Sequence, residues 1–188
     1  MNENIIRCPW CGVDPLYVAY HDNEWGTPVH DDSILFEFLT LEGAQAGLSW
    51  ITVLRKRENY RKYFHNWDIG KIAIMTDVEL EKILLDPGVV RNRLKIYSVR
   101  KNAIVTLQIQ QEFGSLDTYF WDFIDKNSQI NSGKTIYDFP TESDISKKIS
   151  KDLKKRGMSF IGSTIMYAFM QAIGMVDDHI DTCFRKEK

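Results

Sequence analysis

Cysteine is scarce in this chain. Three among 188 residues is an odd and sparse set, which excludes a disulfide framework. Five prolines and eleven glycines leave no linker-like stretch, and there is no internal repeat or low-complexity tract. No apolar run approaches the ~20 residues of a membrane span. Residues Met1 to Arg7 lack the apolar stretch of a signal peptide, so the expected compartment is the cytoplasm and no membrane partner is expected. Neither sign of charge dominates, with 24 Lys and Arg against 26 Asp and Glu and a formal net charge of −2. Bulk charge alone therefore does not announce a nucleic-acid binder.

What is present is apolar and aromatic. The chain is 44% hydrophobic and 12% aromatic, too rich in both for a disordered protein. At this length about 70% of the unfolded surface can be buried, so a core forms without staples. One domain, or two packed lobes, is expected.

The periodicity is mostly helical. Ser33 is placed to cap a helix carrying Ile34, Leu35, Phe38 and Leu41, with a break over Gly43 to Leu48. A second helix is expected from about Ser49 to Phe64. Thr76 and Glu79 read as a capping box, and Asp86-Pro87-Gly88 stops the helix that follows. Helix resumes over Leu94 to Leu107. Ile145, Ile149 and Leu153 give another stripe. Ser163 to Ala172 reads as an apolar helix closed by Gly174. Strand patterns are few, and the predicted class is all-α.

Charge falls in blocks. His21 to Glu42 holds six acids and no base, Pro87 to Gln111 five bases and no acid, and Lys147 to Arg156 six bases and one acid. Solvated helix faces account for any one block. Basic blocks converging on one face would make a phosphate-binding surface.

All three cysteines and two of the four histidines lie in the terminal segments. Thiolate and imidazole suit tetrahedral Zn²⁺, and a metal joining the ends would pin termini that otherwise fray. Spacing favours Cys8, Cys11, His179 and Cys183. A set with His21 in place of Cys11 is equally tetrahedral. Unligated thiols, or a redox-active Cys8-Pro-Trp-Cys11, are the competing readings, the latter without its usual βαβ context.

Two further segments carry chemistry. The capped helix, Asp-Pro-Gly turn and basic helix from Val89 to Lys95 form a compact unit. Its glycine turn at Gly88 would offer backbone N–H groups to a phosphate, with Arg91 and its neighbours supplying charge. An ordinary αα-hairpin is the plainer alternative. The stretch Leu41 to Trp50 sets Glu42 before four small residues, Gly43, Ala44, Ala46 and Gly47, with Gln45 among them. Small residues leave space, Trp50 offers a stacking face, and Trp10, Tyr17, Tyr20 and Trp25 add aromatics nearby. Aromatic walls with one carboxylate suit a flat cationic heterocycle. Core aromatics with a solvated Glu42 are the plainer reading.

Together these pieces resemble the type I 3-methyladenine DNA glycosylase family. The matching runs are Arg7 to Gly12, Asp14 to Gly26, Leu41 to Tyr60, and Lys155 to Thr164 running to Asp178-His179. The resemblance spans essentially the whole chain and is weakest over about 110–145. It implies a helix-hairpin-helix glycosylase fold, with the hairpin at about 76–101. It implies residues 1–188 as a single catalytic unit of two packed helical lobes. One structural zinc would join the segments at about 1–25 and 175–188 through Cys8, His21, His179 and Cys183, leaving Cys11 out. It assigns Glu42, Tyr20 and Trp50 to the excised base, with Tyr17, Trp10 and Trp25 lining the pocket.

The implied activity is hydrolysis of the N-glycosidic bond of 3-methyladenine in double-stranded alkylated DNA, by a monomeric, monofunctional enzyme without lyase action. The target base must be flipped out. Leu48, held on Gly47 with Gln45 beside it, is the expected wedge, and Gly88 and Arg91 would hold the backbone. A zinc-clipped hairpin module that binds DNA without catalysis is the alternative, and the Glu42 to Trp50 segment speaks against it.

Overall fold

Short polar side chains set most of the helix boundaries, and a computed structural model describes the outcome over residues 5–186. Asp14, followed by Pro15, caps α1 (Pro15–Asn23). Asp31 caps α2 (Asp32–Gln45), its carboxylate accepting from the amides of Ser33 and Ile34. Ser33, the expected cap, is already inside the first turn and donates its hydroxyl to Asp31. The chain continues through α3 (Trp50–Leu54), α4 (Arg57–Tyr63) and α5 (Ile69–Ala73). The single helix expected from Ser49 to Phe64 is thus two helices, parted at Arg55 and Lys56. The Thr76–Glu79 capping box opens α6 (Asp77–Ile83) as expected. Then come α7 (Arg93–Phe113), capped by Asn92, and α8 (Leu116–Trp121). Ser143 caps α9 (Asp144–Arg156), and α10 (Ser163–Ala172) ends with Gly174 at φ +73°.

The architecture is mostly helical, as the periodicity predicts. Among the described residues the β-structure is one parallel pairing, β1 (Gln129–Ile130) with β2 (Val176–Asp177). That pairing ties the loop after α8 to the C-terminal segment. The terminal segments also meet directly, the Phe184 amide donating to the Ile6 carbonyl at 2.9 Å.

α2 is the centre of the molecule. Every residue from Leu35 to Ala44 is buried, so this helix is surrounded on all sides and not merely apolar along one stripe. Only Ile34, of the stripe read from sequence, is exposed. α10 packs on both α2 and α9, and α5 lies along α7. Gly43 does not break α2, which runs two residues beyond it. A Cβ there would lie 3.1 Å from the Phe160 carbonyl oxygen, so the glycine lets the α9–α10 turn approach the helix. Phe160 itself sits at φ +58°, a strained setting for a non-glycine residue.

Candidate functional site

α1 serves two places at once. Tyr17 and Tyr20 line a cleft of about 330 Å³, and His21, next along the helix, is buried in a cysteine cluster. Trp10, Trp25 and Trp50 line the cleft with them, as do Glu42 and Gln45 from the last turn of α2. The 136–141 loop contributes Ile136, Phe139, Pro140 and Thr141. Thr164, Tyr167, Ala168 and Gln171 of α10 line it too, with Asp178. The structure therefore brings together all six residues expected at the base site.

Their arrangement is tight. Trp10 contacts Tyr17, Trp25 and Tyr20 at centroid separations of 5.1, 5.0 and 6.3 Å. Tyr20 and Trp50 are 5.3 Å apart and tilted by 48°. Aromatic rings in direct contact have centroids about 4.5–7 Å apart. Tyr20 and Trp50 accordingly form one continuous aromatic wall.

Glu42 is only 4% exposed, and its carboxyl accepts no hydrogen bond from any described residue. Burial without a partner pushes it up from an ordinary 4.5 to about 8, because the low-dielectric surroundings disfavour its charged form. Burial raises the Tyr20 and Tyr17 phenols too, and the nearby Glu42 charge raises both further. The Trp50 indole N–H is also buried without an acceptor among the described residues. A cleft-lining acceptor and a cleft-lining donor are thus both unsatisfied, where buried polar groups are ordinarily paired.

The loop after α2 is held from beneath. Lys95, at the start of α7, is buried and donates to the carbonyls of Ala44 at 2.9 Å and Ala46 at 2.6 Å. These are orphan carbonyls at a helix C-terminus, and burial lowers the Lys95 ammonium. Gly47 adopts φ +79°, and Leu48 projects 40% exposed at the tip. By sequence Lys95 belongs to a basic block of the kind that faces solvent. Its role here is to cap α2, which only the fold reveals.

The turn between α6 and α7 differs from expectation in two respects. The Gly88 N–H donates to Asp86 at 2.6 Å, Val89 donates to the Asp86 carbonyl, and Val90 donates to the Tyr60 hydroxyl. These amides are not presented outward. A Cβ at Gly88 would fall 2.3 Å from the Asn59 amide nitrogen, so a side chain there would displace Asn59. Nor is Val89 to Asn92 helical, since α7 begins at Arg93. Arg93 pairs with Glu81, and Arg100 with Asp77. Arg91 is exposed and pairs with no carboxylate among the described residues.

At the termini, one atom each from Cys8, His21 and Cys183 lies within 4.8 Å of the others. The spacing-only set with Cys11 is not what forms. The Cys11 thiol turns to the Cys8 carbonyl at 3.2 Å, and His21 stands in the cluster instead. Two further observations fit a metal. His21 directs Nδ1 to Asp22 at 2.8 Å and His179 directs Nδ1 to Asp177 at 2.7 Å. Histidine ligands commonly have their other ring nitrogen held by a carboxylate in this way. The His179 Nε2 is buried with no hydrogen-bond partner among the described residues, and its ring meets that of His21 at 5.2 Å. Burial raises the Cys8 thiol and lowers the His21 imidazolium.

Sequence reasoning missed Asp178, Tyr167 and Gln171 as cleft residues, and the 136–141 loop altogether. No local pattern marks them, because they reach the cleft only through the β1–β2 pairing and the packing of α10.

A family model described as methyladenine glycosylase matches residues 10–186. The chain is 48% identical to DNA-3-methyladenine glycosylase 1 of Escherichia coli over 177 residues, covering 94% of this chain and 95% of that one. A crystal structure of 3-methyladenine DNA glycosylase I superposes with TM-score 0.94 at 48% identity, over 97% of this chain and 100% of the other. A structure of the Staphylococcus aureus enzyme, solved for its recognition of 3-methyladenine, gives 0.93 at 34% identity, covering 97% of each chain.

Proposed function

The chain belongs to the methyladenine glycosylase family, and from that premise we propose that it is a DNA repair glycosylase that hydrolyses the N-glycosidic bond of 3-methyladenine. The observation that carries this reading is Glu42, a buried carboxyl without a partner in an aromatic cleft. Such a group stays protonated at neutral pH until a cation or hydrogen-bond donor joins it. 3-Methyladenine bound to deoxyribose is cationic and carries an exocyclic amine. It supplies both the charge and the donor, whereas unmodified adenine supplies no charge.

The chemistry asks little of a general acid. When the C1′–N bond breaks, the base leaves neutral, so no proton need be given to it. Glu42 then works by selection and orientation, with Tyr20 and Trp50 as the wall against which the ring lies. Tyr17, Trp10 and Trp25 complete the enclosure. No lysine lines the cleft among the described residues, which fits hydrolysis without Schiff-base lyase chemistry.

In the same reading the partner is duplex DNA bound by a monomer, with the α6–α7 unit acting as a helix-hairpin-helix contact to the backbone. Arg91 supplies its unpaired charge, and Gly88 shapes the turn. Leu48, on Gly47 with Gln45 at the cleft mouth, fills the gap left by the flipped base. Cys8, His21, His179 and Cys183 hold one zinc ion, whose contribution is structural, because four protein ligands leave no position for water.

Incubating the protein with methylated duplex DNA and chromatographing the released bases tests the reading. Free 3-methyladenine is the expected product, and Glu42→Gln should slow its release about 100-fold. Wild-type protein that binds the DNA and releases no base would overturn the assignment.

A further inference from the structure

The loop between β1 and α9 supplies one side of the cleft, and its own bonds hold it in shape. It starts at Asn131, whose backbone N–H donates to the Asp177 carbonyl at 3.1 Å. The Asn131 side chain donates to Asp178 at 2.7 Å, and the same carboxylate accepts the Tyr167 hydroxyl at 2.8 Å and the Gln171 amide at 2.7 Å. Gly133 is then tied twice to Asp181. Its N–H donates to the carboxylate at 3.0 Å, and its carbonyl accepts the Asp181 backbone N–H at 2.8 Å. A Cβ on Gly133 would lie 2.7 Å from the Phe139 ring, so the loop folds closely back on itself. Asp138 closes the tip by accepting from the amides of Lys134 and Thr135, at 2.8 Å each. The neighbouring Lys134 charge helps to hold that carboxylate ionised.

Ile136 and Tyr137 sit at this tip, in one short 3-10 turn. Ile136 lines the cleft and is still 41% exposed, which places it at the mouth. Tyr137 is 89% exposed, and its side chain bonds to no described residue. An isolated exposed ring is ordinary, but this one continues a rim made by Ile136 and Pro140, both of which line the cleft. Leu48 borders the cleft elsewhere. A smaller cavity of about 230 Å³ shares Glu42, Gln45, Thr164 and Ala168 with the cleft. It takes in Gly47 and Leu48 and, among the described residues, none of the 136–141 loop.

A nucleotide whose base enters the cleft stays bonded to its neighbours, so the damaged strand has to cross the mouth. Resting on the glycosylase reading above, we propose that Ile136 and Tyr137 form a second DNA contact, separate from Leu48 and from the α6–α7 turn. At this contact the Tyr137 ring packs against a nucleotide adjoining the flipped one. Every base has a face that an aromatic ring can cover, which suits a protein that must read a lesion and ignore the sequence around it. Leu48 fills the space that the base has left, and Tyr137 holds the strand that has been drawn out.

The experiment uses the whole chain and a duplex holding a stable abasic-site analogue, with affinity read by fluorescence anisotropy. Affinity for free 3-methyladenine and melting temperature are measured beside it. Tyr137→Ala should weaken duplex binding about tenfold, and Tyr137→Phe, which keeps the ring, should bind within about twofold of wild type. Free-base affinity and melting temperature should match wild type in both variants, because the Tyr137 side chain belongs neither to the cleft lining nor to the core. A Tyr137→Ala protein that binds the duplex within about twofold of wild type overturns the inference. So does one whose free-base affinity falls as far as its duplex affinity, since the loop would then shape the cleft and not grip the strand. Wild-type protein that binds methylated duplex and releases no base would instead sink the glycosylase reading, and the anisotropy comparison would still decide the contact.

Discussion

The imidazoles of His21 and His179, brought from opposite ends of the chain, meet edge to face with centroids 5.2 Å apart, each with Nδ1 on its own aspartate. Nothing local in either segment dictates that meeting. It brings the His179 ring beside the buried cluster of Cys8, His21 and Cys183 and so links the two terminal segments.

Metal removal should therefore be felt by the whole molecule. Elemental analysis should find about one zinc per chain, and chelation should lower the melting temperature by several degrees or more. Cys183→Ser should lose the metal, whereas Cys11→Ser should retain it. Gly26→Ala should weaken it, since Gly26 sits at φ +74° and an added Cβ would lie 2.7 Å from the His179 ring. Metal-free protein with unchanged melting would rule out the zinc clip.

Glu42 gives a pH signature. Its folded-state value of about 8 lies above the ordinary 4.5, so the folded protein holds the proton more tightly than the unfolded chain. The associated stability is fully present below about pH 4.5 and is lost as pH rises through about 8. The melting temperature of the Glu42→Gln variant should accordingly gain on wild type as pH rises across that window. Binding of the cationic lesion, which favours the ionised carboxyl, should release a proton below about pH 8. Calorimetry in buffers of differing ionisation enthalpy reads that release, and Glu42→Gln should abolish it.

Lys95→Met should leave the carbonyls of Ala44 and Ala46 without their buried donor and cost about 1–3 kcal/mol of stability. Because those carbonyls lead into the loop bearing Leu48, base release from duplex should fall more than affinity for free 3-methyladenine. Equal losses in both would mean that the cap stabilises the protein without positioning the loop.

Leu48→Ala should act on flipping alone. Leu48 is 40% exposed at the loop tip, so little core packing is lost, and stability should change by less than about 0.5 kcal/mol. Release of 3-methyladenine from duplex should slow about tenfold, with a smaller effect when the lesion lies in single-stranded DNA. An equal effect on both substrates would argue against the wedge.

Local rules account for much of this protein. The capping box at Thr76, the glycine stop after Ala172 and the stripe over α9 depend on neighbours one turn away, and each appears where those rules put it. The aromatic residues and Glu42 point to a cleft because small residues after the carboxyl leave space and the rings supply walls. Other features depend on distant partners. Asp31 in place of Ser33 as the cap is a competition between two adequate side chains, and the carboxylate bonds two amides at once. Gly43 reads as a break, yet its helix continues because Phe160 occupies the space that a side chain would need. Gly88 reads as a phosphate grip, yet its amide is taken by Asp86.

Helical class, the aromatic half of the cleft with Glu42 and the pool of candidate metal ligands follow from the order of amino acids, because hydrophobic period, capping chemistry and ligand softness are properties of the residues themselves. Packing settles the rest: that His21 joins Cys8 and Cys183, that Lys95 caps α2 instead of facing solvent, and that Asp178 reaches the cleft under three donors. Those outcomes turn on which surfaces meet, and burial and hydrogen-bond geometry between segments far apart in the chain are not written in any one of them.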